Sequence, residues 1–430
     1  MGRAGQLVSL WIALFSIFQV HAPWAASQTL QHIHWAGGYG QVYMDGLRDV
    51  ISEFERSNPG VSIEVIVPAG NVAEYLAVQI AAGVSWDTAT LMPHQGLGLA
   101  LTGAFADLRP FIERDGIINL ESFLPGTIDG YIYDDVIWGI PQSNIIQAFG
   151  YNHTLFQEAG LPSPHHYLAE GNWTWQTVTK LGRQLTRDTD GDGVTDMWGY
   201  ELGGVPVLYN FNPILDQAGA EIFVPRVNPR FVTFTSPDVR LAAEYYLSNW
   251  IEGISPLGAA NVAYLEGRAA MINYTGVGYD KAPESAEHRI IPHPKGPVRG
   301  GASVTAWGLQ ISATTRHPDL AWEWVKFLAL SETSLNMLFR TRGILPPTKD
   351  ALHDWLEVTN APERQKLEMI EVAIDPDNRP RRIDPSADRI STMLSEEFQK
   401  VIRGEITLDH ALANIQVQAT AELERLASSR

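Results

Sequence analysis

Val61-Ser-Ile-Glu-Val-Ile-Val-Pro-Ala-Gly70 sets the fold class. Val61, Ile63, Val65 and Val67 alternate with Ser62, Glu64 and Ile66, the period of two that buries one face of a strand. Before it, Tyr43–Ser57 places Met44, Leu47, Val50, Ile51 and Phe54 at helical spacing, and Asn58-Pro59-Gly60 turns the chain. Residues 30–35 form an earlier short strand with Ile33 and Trp35 on one face. After it, residues 72–82 read as a helix closed by Gly83, and residues 86–92 as a third strand. This βαβαβ order implies a parallel sheet with right-handed crossovers, hence an α/β protein.

Open sheets of this kind hold ligands in the loops at the strands' carboxyl ends. Those loops are 36–40, which presents Tyr39, then 68–71, then 93–96, which presents His94 and Gln95. Their glycines do not form a dinucleotide fingerprint, because no Gly-x-Gly-x-x-Gly opens a helix after a strand. Far downstream, residues 263–278 run from a helical pattern through small apolar residues into Asn273-Tyr274-Thr275-Gly276. An amide, a phenol and a hydroxyl together suit a neutral polyhydroxylated ligand; an ordinary strand-end turn is the alternative.

The 430 residues are enough for two or three domains, and the net charge of −18 argues against nucleic acid as a partner. Arg3, the mostly apolar run 7–20 and the small residues of 22–27 read as a secretory signal peptide over residues 1–27. Cleavage falls after Ser27 or Ala26; a retained membrane anchor is the alternative. No cysteine is present, so disulfides, thiolate metal sites and a Cys nucleophile are excluded. A periplasmic protein stabilised by its cores alone is expected.

Further along, residues 131–141 read as a hairpin turning at Asp134-Asp135, followed by the uncharged polar run Gln142-Ser143-Asn144. His165-His166 lack metal-ligand spacing and read as solvated. Asp188, Asp190, Asp192 and Asp196 occupy positions 1, 3, 5 and 9 of an EF-hand-type loop, with Gly193 at 6. The twelfth position is Gly199 instead of the bidentate Glu. The loop is therefore a candidate structural calcium site, with an Asp/Gly turn as the alternative. Tyr209-Asn210 is a second aromatic-plus-amide pair, at the start of a helix. Gly300-Gly301-Ala302-Ser303 precedes a strand over 304–311. Residues 343–347 break the chain, the remainder reads as helical, and Arg379, Arg381 and Arg382 read as a solvated face.

Several stretches, in order, resemble the extracellular solute-binding proteins of ABC importers, specifically the sugar-binding group. They are Asp49–Val67, Gly139-Ile140-Pro141, Tyr151-Asn152 with Leu155-Phe156-x-x-Ala159-Gly160-Leu161, and Asp190-Gly-Asp-Gly with Trp198-Gly199-Tyr200. Gly267-Arg268-Ala269-Ala270-Met271, Gly300-Gly301 and Ala321-Trp322-x-x-Val325-Lys326-Phe327-Leu328 continue the series. The resemblance implies a periplasmic binding protein-like fold of type II, two lobes with a hinge and an interlobe cleft. Lobe 1 would be 28–145 plus 303–342, and lobe 2 would be 146–302 plus 343–430. The implied ligand residues are Trp35, Tyr39, His94, Gln95, Gln142, Asn144, Tyr209, Asn210, Asn273, Tyr274 and Ser303. Tyr209 matches the position that stacks on sugar in the maltose-binding members. The family's Trp just beyond Met271 is missing here, and Leu91 or Met92 stands where those members have another Trp, which argues against maltodextrin. The resemblance also implies a membrane permease as partner, a monomer, no required cofactor and no catalysis.

A secreted glycoside hydrolase would need two carboxylates converging about 5–10 Å apart. The cleft loops hold no Asp or Glu. A phosphorylated polyol would call for Arg or Lys there, and a polyamine for carboxylates. The loops offer neither, which favours a neutral sugar. Arg268, Arg340 and Arg342 lie near enough in sequence to keep an acidic sugar open.

Overall fold

A computed structural model describes residues 27–35, 40–258, 261–274, 286–342, 344–359 and 361–429. Residues 1–26, on which the expected signal peptide falls, Tyr39 and residues 275–285 lie outside the described residues, as does the side chain of Tyr274.

The βαβαβ start forms as the periodicity requires. Strand β1 (Gln28–Ile33), helix α1 (Gly40–Ser57), strand β2 (Val61–Ile66), helix α2 (Val72–Ala81) and strand β3 (Thr88–Leu91) follow in order. β1 pairs in parallel with β2, Leu30 opposite Ile63, and with β3. Helix α1 buries Tyr43, Leu47, Val50 and Phe54, one stripe at three- and four-residue spacing. The sheet is completed by strands distant in sequence. Gly308–Ile311 pairs antiparallel with β3 and with Ile140–Pro141. The resulting order is β2, β1, β3, Gly308–Ile311, Ile140–Pro141. The expected hairpin is present, with Ile132–Tyr133 antiparallel to Val136–Ile137. Asp134 and Asp135 both have positive φ, the conformation a two-residue hairpin turn demands.

A second, antiparallel sheet has Ala148–Asn152 between Met271–Tyr274 and His288–Ile291. Asn273 and Tyr274 thus belong to a strand, where the sequence suggested a loop. Phe149, Tyr151, Phe211, Tyr246, Trp250 and Phe398 fill the core against this sheet. Helices Leu352–Val358 and Glu363–Ala373 bury Trp355, Met369 and Val372 in the first core. Helices Ala387–Ile402 and Leu408–Ser429 bury Ile390, Leu394, Phe398 and Ile415 in the second.

Between the cores lies a small sheet of three short strands. Ser303–Thr305 pairs with Ile145–Ile146 on one side and Arg379–Pro380 on the other. The arginines here do not form one solvated face, because Arg379 and Arg381 are half-buried and Arg382 is buried. Arg382 is fully buried and ion-paired to Asp216 at 3.0 Å, with Nη2 donating to Ala220 O. Its Nη1 donates to Asn212 Oδ1 at 3.3 Å. Arg381 faces the other way and lies on the ring of Tyr209.

A polar strip runs through the first core. His32 Nδ1 bonds Thr88 Oγ1 at 2.9 Å, and His32 Nε2 meets His34 Nδ1 at 3.2 Å. Burial, then the neighbouring His34, hold the His32 pKa well below its ordinary value. Burial likewise lowers His293 to about 4. His165 is not a simple solvated group either: it bonds the Tyr151 hydroxyl at 2.8 Å, and burial lowers it to about 4. A depressed folded pKa means that the unfolded chain binds the proton more readily. The stability these histidines contribute is therefore full above pH of about 6.5 and falls as pH drops toward 4. Each such group removes about 1.4 kcal/mol per pH unit across that window. The melting temperature is expected to fall clearly between pH 7 and pH 5. A flat profile there would mean that the buried imidazoles titrate normally.

Candidate ligand-binding cleft

Short strands link the two larger sheets, and several of the expected ligand residues, Gln142, Asn144 and Ser303 among them, lie on or beside these strands. Trp35 follows β1 and stacks on Trp307, centroids 4.4 Å apart and planes 22° apart. His94 lies in the first turn of helix α3 (Pro93–Ala100), which starts just after β3. Burial and then the positive charge of Arg381 push its pKa down to about 3, so the imidazole is neutral at pH 7. Its Nδ1 is buried with no protein partner among the described residues. Gln95 is committed to its helix, its Oε1 accepting the Met92 N–H at 3.1 Å.

The run 142–144 approaches the hinge. The Gln142 N–H donates to Trp307 O at 2.8 Å, and Ser143 Oγ accepts the Trp307 N–H at 3.1 Å. Asn144 donates from Nδ2 to Thr127 Oγ1 at 2.6 Å. On the facing lobe, Tyr209 and Asn210 open helix Leu208–Ala218. Asn210 is satisfied internally. Its Nδ2 donates to Leu202 O at 2.8 Å, and its Oδ1 accepts Gln147 Nε2 at 3.2 Å. The Arg381 guanidinium covers one face of the Tyr209 ring, 4.4 Å from its centroid. Ser303 starts the central hinge strand, and its carbonyl accepts the Gln147 N–H at 3.0 Å.

Four polar atoms stand out. Asn144 Oδ1, Gln147 Oε1, Asn273 Oδ1 and Ser303 Oγ are buried without a protein partner among the described residues. Each unpaired buried group of this kind costs about 1–3 kcal/mol. They are among twenty such side-chain atoms in the described residues, others of which, such as Asn249 Oδ1 and Trp355 Nε1, lie deep in the cores. Tyr39 lies outside the described residues, and Tyr274 is placed only by its backbone. Two residues outside the expected set touch it: Gln147 bonds Asn210, and Arg381 lies on Tyr209. A lone Gln at a strand start gives no signal by itself, and Arg381 was masked by its basic neighbours.

The Asp-rich loop lies apart, on the surface. Asp188 accepts the N–H groups of Gly191 and Gly193, each at 2.7 Å, and Asp196 accepts that of Thr189 at 2.9 Å. Carboxylate oxygens of Asp188, Asp190 and Asp196 lie within 4.8 Å of one another. Asp192 stands outside that group and accepts the Val194 N–H at 2.7 Å. Gly199 explains the missing Glu: a Cβ there would lie 2.0 Å from the Gly182 carbonyl oxygen. The helix backbone leaves no room for any side chain at that position.

Two α/β lobes joined by short strands, with aromatic rings and uncommitted amides between them, define a two-lobed receptor for a small polar solute. The chain belongs to the bacterial extracellular solute-binding protein family, whose profile matches residues 38–333. The family and the structures this chain resembles are binding proteins. The mannitol-binding protein of Pseudomonas aeruginosa is 23% identical over 407 residues, 86% of this chain and 88% of the relative. The cyclic alpha-maltosyl-1,6-maltose binding protein of Arthrobacter globiformis superposes with a TM-score of 0.75 at 19% identity, over 92% of this chain and 99% of the other. A solute-binding protein of Agrobacterium radiobacter in complex with ribitol gives 0.69 at 18% identity, over 92% and 99%.

Proposed function

We propose that this protein captures a sugar or polyol between its lobes and delivers it to the permease of an ABC importer. The observation that carries the reading is the family match over residues 38–333, and the buried atoms on Asn144, Gln147, Asn273 and Ser303, uncommitted among the described residues, are available to a ligand. Ligand hydroxyls can bond all four, because a hydroxyl both donates and accepts. Relatives that bind mannitol, ribitol and a cyclic maltosyl sugar support the class. On this reading the lobes are those the resemblance implies, 28–145 with 303–342 and 146–302 with 343–430, except that helices Leu352–Val358 and Glu363–Ala373 pack into the first core. The protein works as a monomer in the periplasm after removal of residues 1–27.

A thermal-shift screen of the mature protein against sugars, polyols and amino acids tests this. A ligand at 100 times its Kd stabilises the folded protein by about 2.7 kcal/mol. Asn273→Ala is expected to weaken that ligand about tenfold or more, losing a bond to a buried amide. Unchanged affinity would place the site elsewhere. Tyr209→Ala is a poorer test, since it also releases Arg381.

The loop 188–196 supports calcium as a structural ion. Three carboxylates suit a hard cation, and Gly199 leaves the site without the twelfth-position ligand. Calcium added to chelator-treated protein is expected to raise the melting temperature without altering solute affinity. No shift would leave the loop as a turn closed by its own backbone bonds.

A further inference from the structure

The cleft contains a charge that its neutral loops do not account for. Arg381 follows the hinge strand Arg379–Pro380 and is anchored by its N–H to Val304 O at 2.7 Å. Its guanidinium rests on Tyr209 of one lobe and acts electrostatically on His94 of the other. Arg226 and Arg382 nearby are both paired with Asp216. Arg381 has no carboxylate within ion-pair distance among the described residues. The acid that acts on it is Asp388, exposed in the first turn of helix Ala387–Ile402. A guanidinium stays charged at any physiological pH, so this site keeps a positive charge without a matching anion. Arg381 is half-buried, so its charge is only partly hydrated, and an anionic partner arriving with the ligand would replace the water it has lost.

We propose that Arg381 binds a carboxylate of the solute, so that the ligand is a hexuronate or aldonate in preference to the matching hexose or alditol. The proposal rests on the sugar-binding reading above and narrows it. One guanidinium matches one carboxylate in charge and can hold it through two parallel N–H···O bonds. A phosphate dianion would stay half-neutralised, because His94 is uncharged. Arg268 cannot help, since it is committed to Glu266 and the ring of Trp198. The unpartnered atoms of Asn144, Gln147, Asn273 and Ser303 would then read the hydroxyls.

Isothermal titration of the mature protein with matched probes tests this. The pairs are glucuronate with glucose, gluconate with glucitol and mannonate with mannitol, and the phosphate probes are glucose 6-phosphate and glycerol 3-phosphate. At least one acid is expected to bind about tenfold or more tightly than its neutral partner, as a bond to a charged group should. Its affinity should fall as salt rises, because salt screens charge. Arg381→Gln should abolish the preference, and Arg381→Lys should keep part of it. If every neutral member binds as tightly as its acid, the carboxylate proposal falls while sugar binding stands. A tighter phosphate would overturn the choice of anion. If no probe binds, the sugar reading falls and takes this one with it. The wild-type preference decides the matter even if Arg381→Gln fails to fold.

Discussion

Arg382→Ala is expected to lower the free energy of unfolding by about 3–5 kcal/mol, the usual cost of breaking a buried charge pair by removing one partner. Arg382 has no exposed surface, and its guanidinium is shared among Asp216, Ala220 O and Asn212. Removing it leaves Asp216 with Arg226 alone, and one Asp216 oxygen already lacks a hydrogen-bond partner. The carbonyl of Ala220 loses its donor, and a long side-chain volume is emptied. Each effect has the same sign. Chemical denaturation followed by tryptophan fluorescence reads it, and a loss below about 1 kcal/mol would mean that water takes over the role of the guanidinium. Arg379→Ala, three residues earlier, is the comparison. Its Nη1 bonds only the carbonyls of Pro376 and Asn378, it is partly solvated, and its loss should be within about 1 kcal/mol.

Gly199→Ala is expected to be nearly as damaging, by about 3 kcal/mol or more, through overpacking against a backbone that cannot yield. The added methyl would lie 2.0 Å from Gly182 O and 2.4 Å from Gly182 Cα, in the middle of helix Trp175–Leu185. Gly193→Ala separates clash from strain. There the backbone has φ of +86° but nothing within 4 Å of the new methyl, so only the left-handed conformation costs, about 1–2 kcal/mol. Thermal or chemical denaturation of the two variants checks the order. Equal losses would mean that the Gly199–Gly182 contact opens easily. Gly199→Glu, which completes the sequence pattern of a calcium loop, is expected to destabilise the protein and not to tighten calcium.

The first two strands and two helices were legible because each carries its own period over six or more residues, as Val61–Val67 does, and the four-residue β3 followed from the order they set. The hairpin at Asp134-Asp135 was legible because its turn chemistry is local. The hinge sheet was not. Ile145–Ile146 and Arg379–Pro380 are two residues long, one includes a proline, and neither can show a repeat. The burial of Arg382 depends on Asp216 across 166 positions of chain, and no local pattern announces such a partner. The cleft was half-legible for the same reason. His94 and Asn144 follow a strand end or a turn, and Asn273 and Ser303 lie in short strands, each of which can be read one at a time. Arg381 enters only because a distant segment passes between the lobes, and that changes the expected charge of the cleft.

The position of Gly308–Ile311 in the first sheet has a further consequence for how the chain reaches its final form. That strand lies between β3 and Ile140–Pro141, yet it comes more than two hundred residues after β3. A chain made from its N-terminus has β1, β2 and β3 long before the neighbour that covers β3 exists. The edge of β3 must wait, unpaired, while the whole second sheet is synthesised. Closing so long a loop is slow, and an open strand edge invites pairing with other chains in the meantime. The first lobe in sequence is therefore among the last parts of the molecule able to finish folding.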